Sequence, residues 1–183
     1  MTFFELALEY PALATSRMNV AEESPIVGPL QGGVVADLGL ATFNSVTLTA
    51  TLTGRGYGAA WEGNFPLTAS VWGLGADFGA RFSPASSESR LVNGWFGVGS
   101  GLRGEYLVVE HWEQVATAGL GAWTGGGVNI GKGNVRAALA VRADVTLRVD
   151  SWNGTVMTGN GTTTWSYWPG SARIVAQAGV NVR

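Results

Sequence analysis

The chain holds one histidine, His111, set among Glu110, Trp112 and Glu113. An imidazole beside carboxylates can act as a general base, and in a barrel enzyme working on lipid it would need a serine at strand spacing next to it. Val109 and Glu113 occupy those places, so the economical reading is a histidine at a loop or strand end. With one histidine and no cysteine there is no ligand set for a metal centre and no thiol chemistry. Gly125 to Gly133 has the glycine density of a phosphate loop, yet it lacks the Gly-Lys-Ser/Thr ending and no helix follows; it reads as a hairpin turn. Asn153-Gly154-Thr155 and Asn160-Gly161-Thr162 read as turn chemistry. No catalytic residue, cofactor or metal site is expected.

The charges themselves are spaced more tellingly. From Val135 to Val149 every second residue is apolar, and Arg136, Arg142, Asp144 and Arg148 stand among the intervening positions. A period of two is that of a pleated strand, whose side chains alternate between faces, and excludes an amphipathic helix. The polar faces of the other strands carry Glu5, Glu9, Asp37, Arg55, Asp77, Arg81, Arg173 and Arg183. Two environments write this pattern: a membrane barrel with lipid outside and a polar lumen, or a soluble barrel with water outside. In the first case these residues form an inward-facing network, and nearly every charge must be paired.

The elements that would position them are strands. The alternation recurs over Phe4 to Tyr10, Val34 to Phe43, Val46 to Tyr57, Leu67 to Phe82, Val92 to Leu102, Val115 to Thr124, Val135 to Val149 and Ala172 to Arg183, with no convincing helix. Pro11 to Gly33 reads as a loop with a helical turn near Val20 to Ser24, and Ser151 to Ser171 as a second long loop. Gly58 to Pro66 and Ser83 to Arg90 are polar connections, and Gly125 to Asn134 a turn. Leu107, Val108 and Val109 are consecutive, so 103–114 is either a continued strand or a bulge. Up-and-down order puts the connections at 11–33, 58–66, 103–114 and 151–171 on one end. An all-β antiparallel barrel of about eight strands is expected, spanning residues 1–183 as a single domain.

Composition bears on the solvent. Charged residues make up 13% of the 183 residues, about half the share in soluble domains, so something other than water covers much of the surface. A formal net charge of −2 and a single lysine beside ten arginines offer no basic stripe for nucleic acid. No apolar run reaches the length of a membrane helix, and Glu5 and Glu9 interrupt any reading of the N-terminus as a leader. Trp61, Trp95, Trp112, Trp123, Trp152, Trp165 and Trp168 fall near strand ends, where interfacial aromatic girdles sit.

Gly73 to Phe82 (GLGADFGARF), Gly97 to Tyr106 (GVGSGLRGEY) and Gly125 to Asp144 (GGGVNIGKGNVRAALAVRAD) resemble the strand and turn phrasing of small bacterial outer-membrane β-barrels of the eight-stranded kind. The resemblance implies a location in the bacterial outer membrane, contact with the lipid bilayer or lipopolysaccharide, and a structural or surface-binding role with any ligand held by loops 11–33 and 151–171. It also implies an aromatic last residue, where this chain ends Val180-Asn181-Val182-Arg183. The alternative is a soluble all-β protein, with Met1 as its native start: a β-sandwich or jelly-roll subunit of a homo- or hetero-oligomeric assembly such as a viral capsid, or a ligand-binding barrel.

Overall fold

The computed structural model describes residues 2–14, 18–20, 26–61, 67–84, 91–109, 113–149, 152–158, 161–167 and 170–183. They form eleven strands: β1 (Phe3–Ala14), β2 (Met18–Val20), β3 (Ile26–Phe43), β4 (Val46–Trp61), β5 (Leu67–Phe82), β6 (Val92–Val109), β7 (Glu113–Ile130), β8 (Val135–Arg148), β9 (Trp152–Thr158), β10 (Gly161–Tyr167) and β11 (Gly170–Val182). Eight of them close into one barrel in the order β1-β11-β8-β7-β6-β5-β4-β3, all antiparallel. Closure is made where β1 meets β11, with Leu6 opposite Val180 and Leu8 opposite Ala178. A single closed ladder removes the sandwich and jelly-roll alternatives, which need two sheets.

Local sequence explains the places where the ladder bends or ends. Pro11 has no amide hydrogen to donate, and the β1–β11 register shifts between Pro11 and Leu13 while the β1–β3 ladder stops at Glu9. At one end, Asn44 takes φ 54° in the turn between β3 and β4, and Gly131 and Gly133 take φ 138° and 82° between β7 and β8.

The segments expected as turn or loop at 125–134, 11–33 and 151–171 contain strands instead, and of the two readings open for 103–114 the continued strand is observed as far as Val109. The glycines at 125–127 belong to β7 and pair with both β6 and β8, so the turn is confined to 131–134. β6 continues to Val109 in unbroken register with β7, because Leu107 turns inward as part of the same alternation that Leu102 and Tyr106 keep outward. Much of 11–33 and 151–171 is also extended: β9 and β10 form a hairpin, and β2 from the first long connection pairs with β10 from the last, giving a three-stranded sheet β2-β10-β9. Thr155, Val156, Thr158 and Thr162 to Thr164 supply the β-branched residues that favour it. Of the helical turn expected near Val20 to Ser24, Val20 is in β2 and the rest lies outside the described residues.

Candidate functional site: the barrel interior

The two faces of the barrel are inverted relative to a soluble fold. Along β8 burial alternates strictly, with Val135, Leu139, Val141, Val145 and Leu147 exposed and Arg136, Arg142, Asp144 and Arg148 buried. The same holds around the barrel: Leu74, Phe78 and Leu102 are 73%, 73% and 67% exposed, while Glu5, Asp37 and Asp77 are 1%, 2% and 2% exposed. A soluble ligand-binding barrel would do the opposite, since apolar area removed from water is what stabilises it. Near one end the outer wall is thinned at Gly54, Gly56 and Gly104, leaving a recess of about 730 Å³ beside Val34, Trp72, Leu74 and Tyr106.

Inside, the charges are held in pairs. A central cluster joins Asp77, Asp144 and Glu9 to Arg103, Arg142 and Arg55. Arg103 donates to both oxygens of Asp77, with Nη2 at 2.9 Å from Oδ2, and Arg142 Nη2 lies 2.9 Å from the same Oδ2. Arg142 Nε donates to Asp144 Oδ1 at 3.0 Å, and Arg55 bridges Asp144 at 2.7 Å and Glu9 at 2.6 Å. Three cations facing three anions leave this cluster neutral, which a low-dielectric interior requires. A second group sets Arg81 against Glu5, at 3.0 Å, and Asp37, with Thr51 donating to Asp37 and Asn181 to Glu5 at 3.0 Å. A third sets Arg148 and Arg173 around Glu105, with Arg148 Nε 2.6 Å and Arg173 Nη2 3.8 Å from its oxygens.

Two tryptophans complete the filling. Trp95 and Trp123 are 8% and 5% exposed and pack with Ala140. The Arg81 guanidinium lies 3.9 Å from the Trp95 ring centroid and that of Arg142 4.5 Å from Trp123, a cation–π geometry that also orients each arginine toward its carboxylates. Glycines make the room: a Cβ on Gly97 would come within 3.0 Å of the Trp123 ring, and one on Gly121 within 2.6 Å of the Arg103 guanidinium carbon. Across its middle the lumen is therefore filled by side chains, as the narrow interior of an eight-stranded barrel permits.

No family model matches the sequence, and neither does any curated protein. Solved structures do. Neisserial surface protein A is similar over 100% of this chain and 97% of its own, at 14% identity and a TM-score of 0.53. The outer membrane protein OprG from Pseudomonas aeruginosa is similar over 98% of this chain and 93% of its own, at 12% identity and a TM-score of 0.56. This chain shares the fold of the small bacterial outer-membrane β-barrels. In that fold the apolar outer face meets lipid and the closed ladder leaves no unpaired strand edge in the bilayer. The barrel strands are 12 to 18 residues long, ample against the roughly 9–11 that a tilted crossing needs.

The interior holds Glu5, Glu9, Asp37, Arg55, Asp77, Arg81, Arg136, Arg142, Asp144, Arg148 and Arg173. Arg136 donates to the carbonyl of Gly133 at 3.1 Å beside the β7–β8 turn. Arg183 is a correction: it follows the last strand residue and is exposed at the rim. Arg103 and Glu105 were missed because 103–114 had no assigned register, although Leu102, Gly104 and Tyr106 mark the outer face around them. Among the tryptophans, Trp95 and Trp123 are not interfacial. Their parity places them with Gly97, Gly99 and Gly121 on the inner face, and the ring area is satisfied by arginine rather than by lipid headgroups. Trp61, Trp152 and Trp165 lie on β4, β9 and β10, but their side chains lie outside the described residues, as do Trp112, Trp168 and His111 entirely.

Proposed function

We propose that this protein is a non-enzymatic β-barrel of the bacterial outer membrane, one domain from 1 to 183, whose ion-paired interior is a structural plug and whose long connections offer a binding surface outside the bilayer. The observation that carries the reading is the inverted polarity of the barrel wall, apolar outward and charged inward. Lipid acyl chains or the lipid part of lipopolysaccharide suit that outer face. The binding surface draws support from the sheet β2-β10-β9, which unites the segments 11–33 and 151–171 at one end.

Two measurements test this. Expressed in a Gram-negative host with an export leader, the protein should fractionate with outer membranes, require detergent for extraction and run with heat-modifiable mobility; recovery as a discrete soluble oligomer refutes the location. Replacing 152–167 by a short turn should leave that mobility intact while removing binding to host-cell or matrix surfaces. If the shortened barrel binds as the full chain does, the loops are not the binding surface.

A further inference from the structure

The recess of about 730 Å³ in the outer wall is built on β4 and its two neighbours. On β4 the inward positions hold Thr53 and Arg55, and the outward ones between and after them hold Gly54, Gly56 and Gly58. In the flanking ladders Gly54 lies between Val34 and Leu74, and Gly56 between Gly32 and Trp72. Leu74 and Trp72 are largely exposed and stand as a bank beside this floor. The next row toward the turns is raised instead by Leu52, Leu102 and Leu120. The fold itself does not require these glycines. Inside the barrel Gly97 and Gly121 make room for Trp123 and Arg103, but a Cβ on Gly54 would meet nothing nearer than Leu74 Cδ2 at 3.8 Å, and one on Gly58 nothing nearer than the Ala69 carbonyl at 3.8 Å. Glycine weakens a strand, and within one it marks a place where another group comes close.

We propose that this recess binds one acyl chain of a membrane lipid, held through the chain and not through the headgroup. The inference rests on the reading that the apolar outer face meets lipid, since the recess is part of that face. Its shape suits a hydrocarbon chain. From Gly54 to Gly58 the floor runs toward the loop end for about 14 Å at 3.4 Å per residue, close to the roughly 15 Å of hydrocarbon in one leaflet. Between β3 and β5 it is about 10 Å across, room for a chain but not for a second barrel wall. Glycine faces in membranes also admit close contact between protein surfaces, and here the Trp72 and Leu74 side chains hold such a surface away from the floor. Charge gives no grip on a headgroup. Arg55 and Glu105 reach the lining from the inside, where Arg55 is engaged by Glu9 and Asp144 and Glu105 by Arg148. The other described residues of the recess are uncharged.

The test titrates the protein, folded in detergent micelles, with dimyristoyl phosphatidylethanolamine or dimyristoyl phosphatidylglycerol and counts bound lipid by native mass spectrometry. Saturable binding of one lipid per barrel is expected, with the two headgroups equal to within about threefold. Gly54→Leu fills the floor from open space and Trp72→Ala removes the bank; each should weaken binding at least about tenfold with heat-modifiable mobility unchanged. Leu139→Ala, an outward residue on β8, should bind as the parent does. No saturable binding by the parent, or equal binding by both recess variants, overturns the proposal. A tenfold preference for phosphatidylglycerol overturns recognition through the chain. A dimer that Gly54→Leu converts to a monomer gives the recess to a second copy and likewise overturns it. Extraction without detergent would sink the membrane reading and the proposal together, whereas a detergent-dependent barrel that holds no lipid sinks the proposal alone.

Discussion

Replacing Asp77 by asparagine removes one charge from the central cluster while keeping the side chain's shape. Asp77 accepts from both terminal nitrogens of Arg103 and from Arg142 Nη2 at 2.9 Å. Without its charge, Arg103 and Arg142 fall back on Asp144, at 3.7 and 3.0 Å, which already serves Arg55 at 2.7 Å. Three guanidiniums would then share the charges of Asp144 and Glu9. A unit-charge pair about 4 Å apart is worth about 4 kcal/mol at an effective dielectric near 20, and the amide oxygen keeps part of the hydrogen bonding. Breaking a buried pair from one side costs about 3–5 kcal/mol in practice, a large share of the about 5–15 kcal/mol typical of a folded domain.

The assay is urea unfolding of the protein folded in lipid vesicles, read by heat-modifiable mobility, with the denaturant slope compared between variants. Asp77→Asn should lose about 3–5 kcal/mol at unchanged slope. Adding Arg103→Gln restores neutrality without touching the Arg142–Trp123 contact, and should recover about 1–3 kcal/mol of that loss. A loss below about 1 kcal/mol, the worth of a solvated pair, would refute the view that these charges sit in a dry interior. No recovery in the double variant would show that packing around Asp77, not charge balance, sets the cost.

The outer face is tested by Leu102→Arg. At 67% exposure toward lipid it should cost about 2–4 kcal/mol if it lies near the bilayer midplane, measured by the same unfolding assay; Thr53→Val, whose parent side chain is buried inside, should insert normally. In single-tryptophan variants, brominated lipid should quench Trp72, which is 61% exposed, and leave Trp95 and Trp123 fluorescent; equal quenching of all three would restore the latter two to the interface. Gly101→Ala brings a methyl within 2.6 Å of the Asp77 Cα, and because the obstacle is backbone it should cost about 1–3 kcal/mol, with loss of unfolding midpoint as the readout.

The barrel was legible because closure needs only a count of alternating strands and the short turns between them, both local properties of sequence. Parity goes further than existence: once Val135, Leu139 and Val141 define one face of β8, the face of Arg136, Arg142 and Asp144 follows with no freedom left. What parity cannot supply is the solvent on each side, since a barrel turned inside out has the same sequence period. The decision came from the partners, which are non-local. Asp77 on β5 meets Arg103 on β6 and Arg142 on β8, and Glu9 on β1 meets Arg55 on β4; no spacing along the chain announces such pairs. The tryptophans show the same limit from the other direction. Proximity to a strand end suggests the membrane interface, but the alternation through Phe96 and Val98 had already assigned Trp95 to the inside, as Leu120 had assigned Trp123. Where a residue type's usual habitat and its strand parity disagree, parity prevails, because moving one side chain to the other face would require slipping the register and inverting every neighbour on the strand.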